Sequence, residues 1–244
     1  FMLSKNQVKL IQKLAQKKQR NLLKMFVVEG RKSLLEFVQA GYRPHLIVAT
    51  EIFDARLENL PLVLTSPEEL QKVSFLKNPD EGLGVFHFPE LPPFTHQGLI
   101  LALDNLQDPG NLGTLIRLCD WFGVEQLLCN TQTVDCYNPK VVQATMGSLT
   151  RVAVHYLPLA DFLAHTPLPI YAMDLAGENL YHTSLPENAI LLLGNEANGL
   201  SPEVKALAQH TVSIPRFGAY QQAESLNVAM AGAIGLSQAR APQK

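Results

Sequence analysis

GLILALDNLQDPGNLGTLIR, residues 98–117, holds both halves of the argument for the fold. Its first half, GLILALDN (98–105), is an apolar run of the length expected for a strand buried on both faces. The second half turns through Asp, Pro, Gly and Asn and enters a helix read over Asn111–Trp121. Gly110 and Gly113 permit close backbone approach, and Asn111 either caps the helix or points into a cleft. Arg117 lies two turns in. Residues 93–244 hold only 7 Lys and Arg, so Arg117 is either an exposed solubilising residue or the natural contact for an anion.

The same alternation runs outward from this stretch. QLLCN (126–130), RVAVHYL (151–157), IYAMDL (170–175), AILLLGNE (189–196) and TVSIP (211–215) read as strands. NPKVVQATMGS (138–148), LADFLAH (159–165), Pro202–Gln209 and SLNVAMAGAIGLSQA (225–239) read as helices between or after them. Near-continuous apolar strands separated by helices imply a parallel sheet covered on both faces. Upstream, Ser4-x-x-Gln7 is a capping box opening a basic amphipathic helix with Val8, Ile11, Leu14 and Ala15 on its apolar side. MFVVEG (25–30), HLIVAT (45–50), LPLVLTS (60–66) and LGVFHF (83–88) alternate with the helical segments RKSLLEFVQAG (31–41) and PEELQKVS (67–74). PELPPFTHQG (89–98) has three prolines and reads as a linker. The expectation is an N-terminal α/β unit over 1–92, the end of the linker at 93–97, and a larger α/β domain over 98–244.

Composition narrows the partners. The 244 residues are 47% hydrophobic and 17% charged, ordinary for a globular protein. No apolar run approaches the roughly 20 residues of a membrane span, and no leader is visible, so a cytoplasmic location is expected. Three cysteines without metal-type spacing read as reduced thiols, and scattered histidines give no metal site. The net charge of −2 hides a split, because residues 1–92 carry 13 Lys and Arg against 10 Asp and Glu. The first 32 residues hold nine basic side chains, Lys13, Lys17, Lys18, Arg20 and Arg31 among them, against the single acid Glu29. Such a run is either a solvated helix face or a contact that tracks an RNA backbone.

Ligands of parallel sheets bind beyond the carboxyl ends of the strands. Three strand ends here carry more than a turn requires: LQDPGNLGTLIR after 105, ANGLS after Glu196, and RFGAYQQAESLN after Pro215. Neither GxGxxG after a first strand nor GxxxxGK[ST] occurs, which argues against the usual dinucleotide and phosphate-loop folds. Glu196 can orient a donor or cap a backbone N–H, or merely decorate a turn. Ser225 and Asn227, read in the first turn of the last helix, either grip a ligand or cap that helix.

Together DPGNLGTLIR, LLLGNEANGLS and SIP…AESLNVAMAGAI resemble, in order and spacing, the three motifs of the SpoU (TrmH-type) family of RNA 2′-O-ribose methyltransferases, of the SPOUT class. NPKVVQATMGSLTRVAV (138–154) resembles the family's intervening segment, and the basic N-terminal unit its small, ribosomal-protein-like substrate-binding domain. The resemblance implies S-adenosylmethionine as methyl donor, an RNA ribose 2′-hydroxyl as acceptor, a homodimer, no metal, and a deep trefoil knot that no composition would suggest. It places the cofactor on Met173, Asp174, Leu175, Leu193, Gly194, Asn195, Gly199, Ile214 and Leu226. It assigns catalysis to Arg117, Asn111, Glu196, Ser225 and Asn227. RNA contact is expected of Lys13, Lys17, Lys18, Arg20 and Arg31 in the basic N-terminal run. Ribosomal RNA is expected ahead of transfer RNA, by analogy with members carrying an added N-terminal domain. Two departures stand out. Ala197 replaces the family's usual Gly, costing about 1 kcal/mol if that position needs φ > 0. RFGAYQQAE is about three residues longer than the commonest form. The competing readings are an RNA-binding member without useful catalysis and a small-molecule nucleotide-binding enzyme.

Overall fold

The computed structural model describes residues 2–241; the last three residues of the expected C-terminal domain lie outside them. The described residues divide into two compact units, one of residues 2–91 with 135–150, the other of 92–134 with 151–241. The segment 135–150, expected within the C-terminal domain, thus clusters with the N-terminal unit.

In the N-terminal unit the capping box forms as read: Gln7 N–H donates to Ser4 Oγ at 3.1 Å, and Gln7 Oε1 accepts from Ser4 N–H at 2.8 Å. It starts α1 (Lys5–Lys13), followed by α2 (Lys17–Leu23), β1 (Met25–Glu29), α3 (Arg31–Gln39) and β2 (Pro44–Ala49). β3 (Leu62–Leu64), α4 (Pro67–Val73) and β4 (Gly82–His87) complete a mixed sheet of order β1-β4-β2-β3. Ile11, Leu14, Val27, Val48 and Val85 share one buried cluster. Phe26, Phe37 and Phe86 pack edge-on or tilted at 5.6–6.3 Å. Tyr137, from the later segment, joins them, 4.7 Å from Phe26 and stacked on Phe88 at 4.3 Å. Each such ring buries on the order of 150–250 Å², ample reason for 135–150 to group here. Its helix α6 (Pro139–Thr145) packs against β1.

The second unit is built on β5 (Leu99–Leu103), α5 (Pro109–Trp121), β6 (Gln126–Cys129), β7 (Ala153–Tyr156), α7 (Leu159–His165) and β8 (Ile170–Asn179). β9 (Ala189–Leu193), α8 (Pro202–Lys205), β10 (His210–Ser213) and α9 (Val228–Ala239) follow. α8 is shorter than the expected 202–209. The strands form a parallel sheet of order β10-β8-β9-β5-β6-β7. Alternation along the strands explains their unbroken hydrophobicity. Ile100, Ala102, Ile190 and Leu192 enter one buried cluster with α7, while Leu191 and Leu193 meet α9 on the other face. The small residues of α9 allow that approach: a Cβ on Gly232 would stand 2.5 Å from Leu115 of α5.

One irregularity shapes the site. β10 pairs with β8 at Thr211↔Ala172 and next at Val212↔Glu178, so residues 173–177 bow out of the ladder. The sequence reads there as a plain strand through 175. Ser213 Oγ donates to the Leu175 carbonyl at 3.1 Å and pins the bow.

Candidate active site

The bow within β8, the loop after β9 and the segment after β10 surround a cavity of about 980 Å³. All nine residues expected to hold the cofactor line it: Met173, Asp174, Leu175, Leu193, Gly194, Asn195, Gly199, Ile214 and Leu226. The loop after β9 is closed by paired backbone hydrogen bonds between Asn195 and Gly199, at 2.9 and 3.0 Å. Gly199 sits at φ +67°, the left-handed region. Gly194 is packed so tightly that a Cβ would stand 2.3 Å from the Gly199 carbonyl carbon. Ala197 is not among the positive-φ residues, so it stands without strain where the family has Gly.

Polar side chains hold this loop from below. Asp104, at the end of β5 and 3% exposed, accepts from Ser201 N–H at 2.7 Å and from Asn130 Nδ2 at 3.0 Å. Its own N–H donates to the Leu193 carbonyl at 2.9 Å, so one residue grips both ends of the loop. Asn195 Nδ2 donates to the Asn105 carbonyl at 2.6 Å. Glu196 reaches back to the first motif, accepting from Asp108 N–H at 2.8 Å and Gln107 N–H at 3.2 Å. It therefore fixes the loop before α5 as well as its own.

Asn111 lies between Glu196 and Asn227. Its Nδ2 is 3.5 Å from Glu196 Oε1, and its Oδ1 accepts from Asn227 Nδ2 at 3.0 Å. Glu196, Asn111 and Asn227 border a second, shallower cleft of about 550 Å³. The reading of Asn111 as a cap for α5 is corrected. Asp108 is the cap, accepting from Asn111 N–H at 2.8 Å, with Pro109 at the first helical position. The Asp-Pro pair was the available signal. Asn227 is the N-cap of α9, its side chain accepting from Ala229 and Met230 N–H. Ser225 is thereby corrected too: it precedes the helix and lies exposed on the cavity wall.

Two further residues belong to the site that the sequence reading missed, Asp104 and Lys205. Lys205 Nζ lies 2.8 Å from Asp174 on the cavity wall, and this hydrogen bond holds the Asp174 carboxyl below its usual range. Both residues act through partners far away in the sequence, which spacing cannot reveal. Arg117 is exposed on α5 and outside the residues lining either cavity.

Among the expected RNA contacts, Lys13, Lys17 and Lys18 are exposed. Arg31 is exposed, paired with Glu81 at 2.9 Å and lying 4.9 Å over Phe53. Arg20 is a correction. It is 2% exposed, bonded to Asp135 at 2.8 Å and to the Leu14 and Ala15 carbonyls. A guanidinium so enclosed fastens 135–150 to α1 and α2 and has no face for a phosphate.

A cavity at the carboxyl edge of a parallel sheet, walled by loops that side chains from three motifs hold in place, defines an α/β enzyme built around a nucleotide-like ligand. Residues 98–237 match the model of the SpoU rRNA Methylase family, and residues 5–84 match that of an MRM3-like substrate binding domain. The chain belongs to the SpoU rRNA methylase family. It is 30% identical to the Bacillus subtilis 23S rRNA (guanosine(2553)-2′-O)-methyltransferase RlmP, over 95% of both chains. A putative RNA methyltransferase of the TrmH family from Porphyromonas gingivalis superposes with a TM-score of 0.88 at 38% identity, over 98% of this chain and 99% of that one. The AdoMet-bound rRNA methyltransferase of Sinorhizobium meliloti gives 0.87 at 28% identity, over 98% and 96%.

Proposed function

We propose that the protein transfers a methyl group from S-adenosylmethionine to a ribose 2′-hydroxyl of ribosomal RNA, acting as a homodimer in the cytoplasm. The observation that carries this reading is the cavity itself, lined by every residue the family resemblance assigns to the cofactor. Its volume is at the upper end of ordinary ligand sites, about 300–1,000 Å³. Leu175 and Leu226 offer apolar surface for a purine, and Asp174, Asn195 and Lys205 offer polar groups for a ribose and an amino-acid tail. The donor set fits the cofactor. The family's knot belongs to the same proposal, with the loops after β9 and β10 as its cofactor-holding part.

When bound, S-adenosylmethionine supplies an electrophilic methyl on a sulfonium. The ribose oxygen forms the new C–O bond as the S–CH3 bond breaks, and the departing thioether is neutral, so no residue need act as acid toward it. The protein's task is to align a weakly acidic hydroxyl and let its proton go. Guanidinium stays protonated in proteins, so Arg117 is assigned to clamp the phosphate of the target nucleotide, leaving the proton to a phosphate oxygen or water. Glu196 and Asn111 hold the first-motif loop, Asn227 fixes the start of α9, and Ser225 contacts the ribose or phosphate.

Arg117 stands outside the cavity of its own chain, and α5 packs against α9. Trp121 on α5 and Met230 on α9 are 83% and 60% exposed. A second copy docked on this face would cover them and bring its Arg117 to the site. Lys13, Lys17, Lys18 and Arg31 would hold RNA on the N-terminal unit, a role supported by the substrate-binding family model there. Arg117→Ala is expected to lower kcat at least about 100-fold while cofactor Kd stays within about threefold. Equal losses in both would overturn the assignment of Arg117.

A further inference from the structure

Around the mouth of the cavity, apolar side chains stand in solvent. Leu175, Leu226 and Tyr220 line the cavity, and Phe217 and Tyr181 are exposed beyond it. Phe217 is 81% and Tyr220 88% exposed, and both belong to the lengthened segment 216–224. That segment has a defined shape. The Arg216 guanidinium donates to the carbonyls of Glu224 at 2.8 Å and Gln221 at 3.4 Å, and Gln221 Nε2 donates back to the Arg216 carbonyl at 3.4 Å. Gln221 takes the left-handed conformation, φ 47°, that the reversal demands. One arginine thus folds the loop upon itself and sets both rings outward. The Phe217 ring lies 6.5 Å from Tyr181, which follows β8, so two elements contribute to one aromatic edge.

We propose that Tyr220, Phe217 and Tyr181 form a platform on which an unpaired base of the RNA substrate stacks, beside the ribose being methylated. The proposal rests on the methyl-transfer reading and names how that site selects its substrate. Tyr220 belongs to the cavity wall, so a strand bringing a 2′-hydroxyl to the methyl can run beside it. A cofactor bound as proposed would cover Leu175 and Leu226 on the cavity wall, whereas Phe217 and Tyr181 lie outside that wall. RNA is read in single-stranded regions largely by stacking on aromatic side chains, which accept any base face. The charge on this loop favours the same occupant chemistry: Arg216, its sole basic residue, is engaged with backbone carbonyls, so the contact offered is ring surface and not a phosphate clamp. An RNA held here gains affinity that does not depend on salt.

Methyl transfer to unmodified ribosomal RNA by the full chain, with Phe217→Ala and Phe217→Leu at a side chain that stands outside the cavity wall, tests this. Each variant is expected to raise KM for RNA about tenfold, with cofactor Kd by calorimetry and dimer mass unchanged. The salt slope of RNA binding stays at the wild-type value, because no phosphate contact is lost. Phe217→Leu matching Phe217→Ala marks stacking over mere bulk. Fluorescence of Phe217→Trp quenched by an unstructured oligoribonucleotide reports the stack without turnover. The proposal is overturned by an unchanged KM, by cofactor Kd weakening in step (a lid over the cofactor), or by loss of the dimer (a subunit contact). Wild-type protein that binds RNA on these rings but transfers no methyl to it would overturn the transfer reading and leave the platform standing.

Discussion

Replacing Asp104 with asparagine removes one acceptor from a buried carboxylate whose two oxygens serve Ser201 N–H and Asn130 Nδ2. The carboxamide can satisfy one of these donors and turns its own N–H2 toward the other. Hydrogen bonds to charged groups contribute about 1.5–3 kcal/mol, and a buried donor without an acceptor costs about 1–3 kcal/mol. The expected loss is about 3 kcal/mol, concentrated where Ser201 ends the loop that begins after Leu193. If that loss falls on the loop's ordered state, S-adenosylmethionine binds roughly 100-fold more weakly. Calorimetric titration of cofactor measures the effect, with thermal denaturation alongside to register any general loss of stability. The swapped variant D104N/N130D is the decisive control. Asn130 Oδ1 accepts from Asn105 N–H at 2.9 Å and Thr133 Oγ1 at 2.7 Å, bonds that an aspartate keeps while its second oxygen meets the carboxamide introduced at position 104. Affinity should return to within about tenfold of wild type. Wild-type cofactor affinity in D104N, or a swap as weak as the single variant, would refute the reasoning.

Other consequences follow from named contacts. Burial raises the Glu29 carboxyl, against the bonds from Ser74 Oγ at 2.5 Å and Phe75 N–H at 2.8 Å. A carboxyl raised on folding contributes stability below its unfolded value of about 4.3 and loses it as pH rises through the folded value. Glu29→Gln should therefore flatten that decline in denaturant midpoint above about pH 4.3; an unaltered pH profile would contradict the burial argument. Arg20→Ala should destabilise the fold by about 3–5 kcal/mol by leaving Asp135 unpaired, without altering the salt slope of RNA binding. Lys17→Ala and Lys18→Ala should do the reverse, each lowering the slope by about 0.7 with stability unchanged. Gly194→Ala places a Cβ 2.3 Å from Gly199 and 2.4 Å from Leu200 N, so the loop must move, and calorimetry should show cofactor affinity falling more than about tenfold.

The elements of the fold were legible because local rules carry them. The α1 capping box, the buried strands and the parallel sheet all follow from patterns a few residues long. What stayed hidden depends on partners distant in sequence. IYAMDL reads as an uninterrupted strand, and only pairing of β10 at both Ala172 and Glu178 makes residues 173–177 bow toward the cavity. Arg20 sits in a basic run that looks like an RNA contact until Asp135, 115 positions later, encloses it. Asp104 meets Ser201 across 97 positions and reads as the polar end of a strand. The candidate site was legible through its motifs, whose residues expected to hold the cofactor all line one cavity. The division of labour among them needed the folded chain, since Asp108 and not Asn111 caps α5, and Glu196 holds the loop in front of that helix.

The most direct test of the central claim is transfer of a labelled methyl group from S-adenosylmethionine to unmodified ribosomal RNA, digested to nucleosides, with Arg117→Ala alongside. Label recovered as a 2′-O-methylribonucleoside from wild type, and lost in the variant while its cofactor affinity persists, is the predicted result. Label on a base, or none from wild-type protein that binds the cofactor and the RNA, would contradict the account.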